Sequence, residues 1–171
     1  MENDDKKIET LNSIFEAVIK LEALKGNLKW TISDLARSSN VSRALIYYYF
    51  EKKEDQKKLI LKESWNYMLK TIFALDDEEQ LGMVQRTYNV LQKVRQNPFL
   101  FILFHLEKEK PNEIGELIRE KEQQFLSMLK QLNPNFTDEQ IKRKYILQIG
   151  IMSLKENLSL EEISKILSAD T

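Results

Sequence analysis

A scarcity of chain-breaking residues constrains this sequence more than any other feature. Only 4 glycines and 3 prolines stand among 171 residues. Many short strands joined by tight turns would need far more of both, so the chain fits long helices joined by short connections. The apolar spacing agrees. From about Asp5 to Lys25, Ile8, Leu11, Phe15 and Val18 recur at i, i+3, i+7 spacing, with Glu22 the polar member of the series. Gly26 follows as a C′ residue.

Helix punctuation continues along the chain. Thr31 with Asp34 reads as a capping box opening the two-turn helix "ISDLARSS". Asn40 suits a turn that needs positive φ. Val41 enters a third helix with Ser42 near its start, ending around Phe50. Lys53 to Phe73 reads as a long fourth helix with Leu59, Trp65, Leu69 and Phe73 among its apolar positions. The acids Asp76 to Glu79 mark the next start, since acids favour a helix N-terminus. Leu81, Val84, Tyr88, Leu91 and Val94 follow at helical spacing. Asn97-Pro98 reads as an N-cap and N1 pair and Pro111-Asn112 as a further start, while Thr137 with Gln140 and Ser159 with Glu162 read as two more capping boxes. The expectation is an all-α chain of about nine helices with no strand.

Composition excludes several classes. Hydrophobic residues at 42% and charged residues at 31% fit a soluble globular protein. Cysteine is absent and there is one histidine, His105, so thiolate chemistry, cysteine–zinc sites and His-only metal sites are excluded. The charged start "MENDDKK" has no apolar signal core after it, and the longest apolar run, Phe99 to Phe104, is far shorter than the roughly 20 residues that span a bilayer. A cytoplasmic location away from membranes is expected. No Gly-rich phosphate loop or acid–base pair marks a catalytic centre, so no enzyme activity, cofactor or metal is expected. "DDEE" at 76–79 is explained by a helix N-terminus rather than a cation.

Charge is uneven. Residues 25–53 hold Lys25, Lys29, Arg37, Arg43, Lys52 and Lys53 against Asp34 and Glu51, net +4, while residues 61–171 hold 15 basic and 17 acidic groups, net −2. A local positive zone points weakly to a polyanion. Inside it lies "NVSRALIYYYF", residues 40–50. Successive helical residues point about 100° apart, so three consecutive tyrosines cannot share one core. With Ile46 at the centre of the buried face, Phe50, Tyr49 and Ser42 fall within about 60° of it, whereas Ala44, Leu45, Tyr47 and Tyr48 lie about 100° or more away and Arg43 sits at the border. The outward set suits DNA. Ala44 permits close approach, Ala44 or Leu45 can meet a thymine methyl, Arg43 can reach a guanine edge, and phenols can donate to phosphate. A short helix, a tight turn and a second helix with such a face form a helix-turn-helix.

At these residues the sequence resembles the tetracycline-repressor (TetR) family of bacterial transcription regulators. "GNLKWTISDLARSSNVSRALIYYYFEKKE", Gly26 to Glu54, carries the family's Gly, Thr, Asp-Leu-Ala, Val-Ser, Ile-Tyr, Tyr-Phe and Lys-Glu positions at unbroken spacing. Asn40 stands where the family usually has Gly, Asn27 where an aromatic residue is common, and Gln56 where Leu is usual. The resemblance implies that Arg43, Ala44 and Leu45 face base edges, with Ser42 at the same helix start, that Tyr47 and Tyr48 contact backbone or bases, and that Thr31, Ser33 and Lys53 hold phosphate. It also implies a helix-turn-helix DNA-binding domain over 1–52, joined by the long fourth helix to a helical effector-binding and dimerisation domain over 53–171. The partners implied are an operator DNA duplex, a second copy of the chain and a small effector.

Two further sets follow. Met83, Tyr88, Phe99, Phe101, Phe104, Phe125 and Met128 are either ordinary core or, as the resemblance favours, the wall of an apolar effector pocket. "YILQIGIMSL", 145–154, is apolar nearly all round and so calls for burial on more than one side. With the implied dimerisation through the last two helices, Tyr145, Ile149, Met152, Leu160, Ile163 and Leu167 become the expected interface. The expected function is a repressor released from a palindromic operator by a mainly apolar effector. The alternative is an all-helical protein-interaction module without operator binding.

Overall fold

The computed structural model describes residues 2–51, 53–73, 81–154 and 156–168. Among them stand nine helices and no strand: α1 Glu2–Lys25, α2 Ile32–Ser39, α3 Arg43–Tyr49, α4 Gln56–Phe73, α5 Met83–Gln96, α6 Pro98–Lys108, α7 Glu113–Leu132, α8 Asp138–Ser153 and α9 Leu160–Ser168. The expected start at Asp76 to Glu79 lies outside the described residues; α5 opens at Met83 after Gly82.

The punctuation has physical form. Thr31 and Asp34 bond reciprocally at the start of α2, as Thr137 and Gln140 do for α8, and Ser159 and Glu162 exchange the same pair before α9. Each box satisfies two N–H groups that the first turn leaves without partners. Asn40 takes φ 55° at the end of α2, where a short polar side chain replaces glycine at modest cost.

The link between α1 and α2 is unusual. Gly26, Asn27 and Leu28 are all left-handed, with φ of 63°, 49° and 56°. Left-handed backbone costs an L-residue roughly 1–2 kcal/mol, so something must hold Leu28 there. Glu22 does so. This buried carboxylate accepts Leu28 N–H at 3.2 and 3.3 Å and the Nε1–H of fully buried Trp30 at 2.9 Å. Lys57, in the first turn of α4, donates to the carbonyls of Leu28 and Trp30 and lies 5.5 Å from the Trp30 ring centroid. Beside it Gln56 donates to Phe50 O at 2.6 Å. The first turn of α4 thus grips both the entry to α2 and the exit from α3.

Apolar burial runs through the same route. Ile14, Val18, Trp30, Leu35 and Ile46 belong to one continuous core with Ile60, Trp65, Leu69 and Phe73 of α4 and with Leu100, Phe104, Ile118 and Phe125 beyond it. Phe73 stacks on Phe125 with ring centroids 5.0 Å apart. A smaller cluster joins Leu91, Ile151, Leu158, Ile163 and Leu167 where α9 folds back on α5 and α8. α7 meets α6 closely at Gly115, where an added Cβ would lie 2.2 Å from Lys110 O and 2.8 Å from Glu107 O.

Candidate nucleic-acid interface

Ser42 starts the recognition candidate, α3. Its side chain accepts Leu45 N–H at 3.2 Å, and its own backbone is extended, with φ −63° and ψ 147°. Ile46 is fully buried and Phe50 nearly so, while Tyr49 packs partly against the same core. Arg43 and Ala44 are exposed, Leu45 and Tyr47 are half-buried, and Tyr48 is 78% exposed. The helical-wheel expectation therefore holds for Ile46, Phe50 and Tyr49, and it fails for Ser42, placed on the inner side but exposed. An N-cap residue has left the helical dihedrals, so its direction does not follow the 100° rule.

Ionic detail sorts the positive zone. Lys25 pairs with Asp34 at 2.7 Å, and Lys53 pairs with Glu51. The Lys25 contact, together with bonds from Thr31, holds the Asp34 carboxyl well below the usual carboxylate range. Lys53 is exposed and precedes α4 by three residues, rather than opening the helix. Lys52 lies outside the described residues. Thr31, expected to hold phosphate, instead donates its hydroxyl to Asp34 at 2.9 Å and its N–H to the same carboxylate at 2.8 Å. The cap itself uses a lone pair of Thr31 Oγ1, which accepts Asp34 N–H at 3.1 Å; the hydroxyl proton goes to the Asp34 carboxylate, which a phosphate would have to replace. Ser33, one residue inside α2, is exposed.

Sequence reasoning missed the start of α1. Lys6, Lys7 and Thr10 border a groove shared with Leu45, Tyr48 and Tyr49, which brings two cations beside the outward face of α3. The available signal was the "KK" of "DDKK", weakened by the acids before it.

Residues 14–55 match the family described as bacterial regulatory proteins, tetR family. Over this segment the chain is similar to the tetR family. It is a DNA-binding transcriptional regulator, and the family is one of regulators rather than enzymes. The fold is similar to that of the fatty acid degradation regulator FadR from Bacillus halodurans, at TM-score 0.56 and 16% identity over 93% of this chain and 98% of that one. No curated protein matches the chain. Each departure from the family pattern has a local role here. Asn27 and Asn40 occupy left-handed backbone, and Gln56 is the donor to Phe50 O.

The residues grouped as an effector wall fall in different packing clusters among the described residues. Phe104 and Phe125 are interior core, Met83 and Met128 pack on its edge, Tyr88 packs against the α5–α8–α9 cluster, and Phe101 lies beside Val90, Val94 and Met152. Phe99 instead borders a surface groove with Ser13, Lys20 and Ser39. A narrow cavity of about 10 Å³ does exist between α4, α5, α7 and α8, and of the expected wall it includes only Phe125. Its polar lining is Arg86, Thr87, Tyr145 and Gln148. Tyr145 donates to buried Glu122, which also pairs with Lys108 at 2.5 Å; burial first, then the carboxylate, pushes the phenol pKa far up. His105 is exposed and sits edge-on to Phe101 and Phe104, and partial desolvation lowers its pKa.

The expected dimer residues divide. Met152 is buried against Val90 and Val94 of α5, and Ile163 and Leu167 are buried because α9 packs its apolar stripe onto α5 and α8. Tyr145 and Ile149 are half-buried on cavity-lining positions, and Leu160 is 40% exposed. The outward side of α8 carries Ile146 at 66% exposure, then Gly150, with Leu154 beyond the helix end. Among the described residues no helix is long and apolar enough to cross a membrane.

Proposed function

We propose that this regulator is a homodimeric repressor that binds a palindromic operator through α3 and releases it when a small, mainly apolar molecule enters the helices beyond residue 52. The division is 1–52 for DNA and 53–171 for effector and dimer. The carrying observation is the two-sidedness of α3: Ile46 and Phe50 are held in the core while Arg43, Ala44 and Tyr48 stand in solvent. Arg43 reads a base edge, Ala44 and Leu45 make apolar base contacts, Tyr47 and Tyr48 meet backbone, and Ser33, Lys53, Lys6 and Lys7 approach phosphate. Two copies of α3 about 34–36 Å apart meet successive major grooves.

The second copy docks on the outward side of α8, through Ile146 and Gly150 with Ile149 and Leu154 at the margin. A Cβ built at Gly150 meets nothing within 4 Å, so the position is open in the single chain and suits close helix approach between copies. The apolar majority of the cavity lining supports an apolar effector, in line with a structural neighbour that regulates fatty acid degradation.

Genomic fragments selected by the purified protein supply the operator. Arg43→Ala then weakens binding by about 1–3 kcal/mol, with specificity relaxed at one base pair. Log affinity falls steeply with log salt. Selection of no fragment, or affinity indifferent to salt, refutes the DNA reading and leaves a protein-interaction module. Gly150→Arg yields a folded monomer in sedimentation; an unchanged dimer refutes the α8 interface.

A further inference from the structure

The cavity between α4, α5, α7 and α8 contains one unanswered request. Gln148 is 3% exposed, and its Nε2 donates to Thr87 Oγ1 at 2.8 Å. The Thr87 hydroxyl in turn donates to Met83 O at 2.7 Å. That second bond uses the Thr87 proton, so the glutamine must present its NH₂ to Thr87 and turn its carbonyl away. Among the described residues the Gln148 Oε1 so placed has no hydrogen-bond donor. One turn earlier on α8, the Tyr145 proton is already held by Glu122. Arg86, on the same wall as Thr87, is not a free cation. The remaining lining is apolar: Ile72, Phe73, Val90, Phe125, Ile149 and Met152.

A buried acceptor without a donor is costly, and a ligand that supplies the donor removes that cost at binding. A carboxylate cannot, since it only accepts and would set oxygen against oxygen. An alcohol or a primary amide can. We propose, on the effector reading above, that this cavity takes an uncharged amphiphile whose head donates a hydrogen bond to Gln148 Oε1 and whose apolar body lies against Phe73, Phe125 and Met152. The cavity has room for about one water molecule, so the body enters by displacing side chains, for which the unbranched Met152 is suited.

The test is calorimetric titration of the full chain with 1-octanol, octanamide and sodium octanoate at neutral pH. Octanol and octanamide are expected to bind, and octanoate at least about tenfold more weakly. Gln148→Leu keeps the side-chain size and removes the acceptor; it is expected to fold at unchanged or raised melting temperature and to lose about tenfold in octanol affinity. Thr87→Val, which frees Gln148 to turn, is expected to weaken octanol in the same sense and serves if Gln148→Leu does not fold. Equal affinity for octanoate, indifference of octanol to both variants, or a cavity that takes solvent only overturns the assignment. Operator release is read separately by fluorescence anisotropy. Octanol binding without release refutes the effector mechanism and leaves the pocket chemistry standing; absent binding refutes the pocket chemistry and leaves operator recognition standing.

Discussion

Replacing Glu22 by alanine removes one side chain and strands two donors. The Trp30 indole N–H, on a fully buried ring, loses its 2.9 Å acceptor, and the half-buried Leu28 N–H loses both of its contacts at 3.2 and 3.3 Å. Each stranded donor costs about 1–3 kcal/mol, and the left-handed Leu28 backbone loses the bond that holds it, so the variant is expected to be about 3–5 kcal/mol less stable. For a chain of this size each kcal/mol is about 2–4 °C, giving a melting temperature lower by roughly 6–20 °C. Urea unfolding followed by tryptophan fluorescence measures it directly, with a lower midpoint at unchanged slope. Glu22→Gln retains one acceptor oxygen and is expected to lose less than half as much. A loss below about 1 kcal/mol for Glu22→Ala, or a glutamine variant as weak as the alanine one, refutes the reasoning that the carboxylate holds the α1–α2 link.

Other expectations are more local. Gly115→Ala drives a Cβ into the carbonyl oxygens of Glu107, in the last turn of α6, and Lys110, in the α6–α7 link, and is expected to cost about 1–3 kcal/mol by thermal melting, against the gain that alanine brings in an unobstructed helix. Asn40→Gly is expected to be neutral or stabilising, whereas Asn40→Val at φ 55° costs about 1–2 kcal/mol or more; denaturation midpoints separate the two. Asp34 and Glu162 are held below their unfolded pKa values, Asp34 chiefly by Lys25 and Glu162 by Ser159. Their contribution is therefore complete above the ordinary carboxylate range and is lost as pH falls through the folded values, and Asp34→Asn should flatten part of that acid limb in melts between pH 2 and 5. Thr137→Ala removes the cap of α8 and is expected to cost about 1 kcal/mol.

What could be read in advance was local. Capping pairs three residues apart, the positive φ at Asn40 and the outward placement of Tyr48 all follow from short-range geometry, and the chain shows each of them. What escaped needed partners distant in sequence. Glu22 was legible as the polar member of an apolar stripe, but not its bond to Trp30 eight residues on. The pairing of Gln148 with Thr87 spans 61 positions and is set only once α5 and α8 lie side by side. Ile163 and Leu167 read as a free apolar face because nothing in their spacing tells whether a stripe turns inward to its own chain or outward to another. Thr31 shows a competition that spacing cannot settle, since its one hydroxyl proton can meet the Asp34 carboxylate or a phosphate.

The unbroken core through α4 bears on how such regulators can be recombined. Ile14, Val18, Trp30 and Ile46 close against Ile60, Trp65 and Leu69. Lys57 and Gln56 stitch the same boundary. A chimaera grafting residues 1–52 onto a foreign scaffold would leave that apolar surface facing an unmatched neighbour. Carrying the whole of α4 would keep this boundary intact but would move the mismatch to Phe73, which packs on Phe104 and Phe125, so those facing positions would have to be matched in the new scaffold.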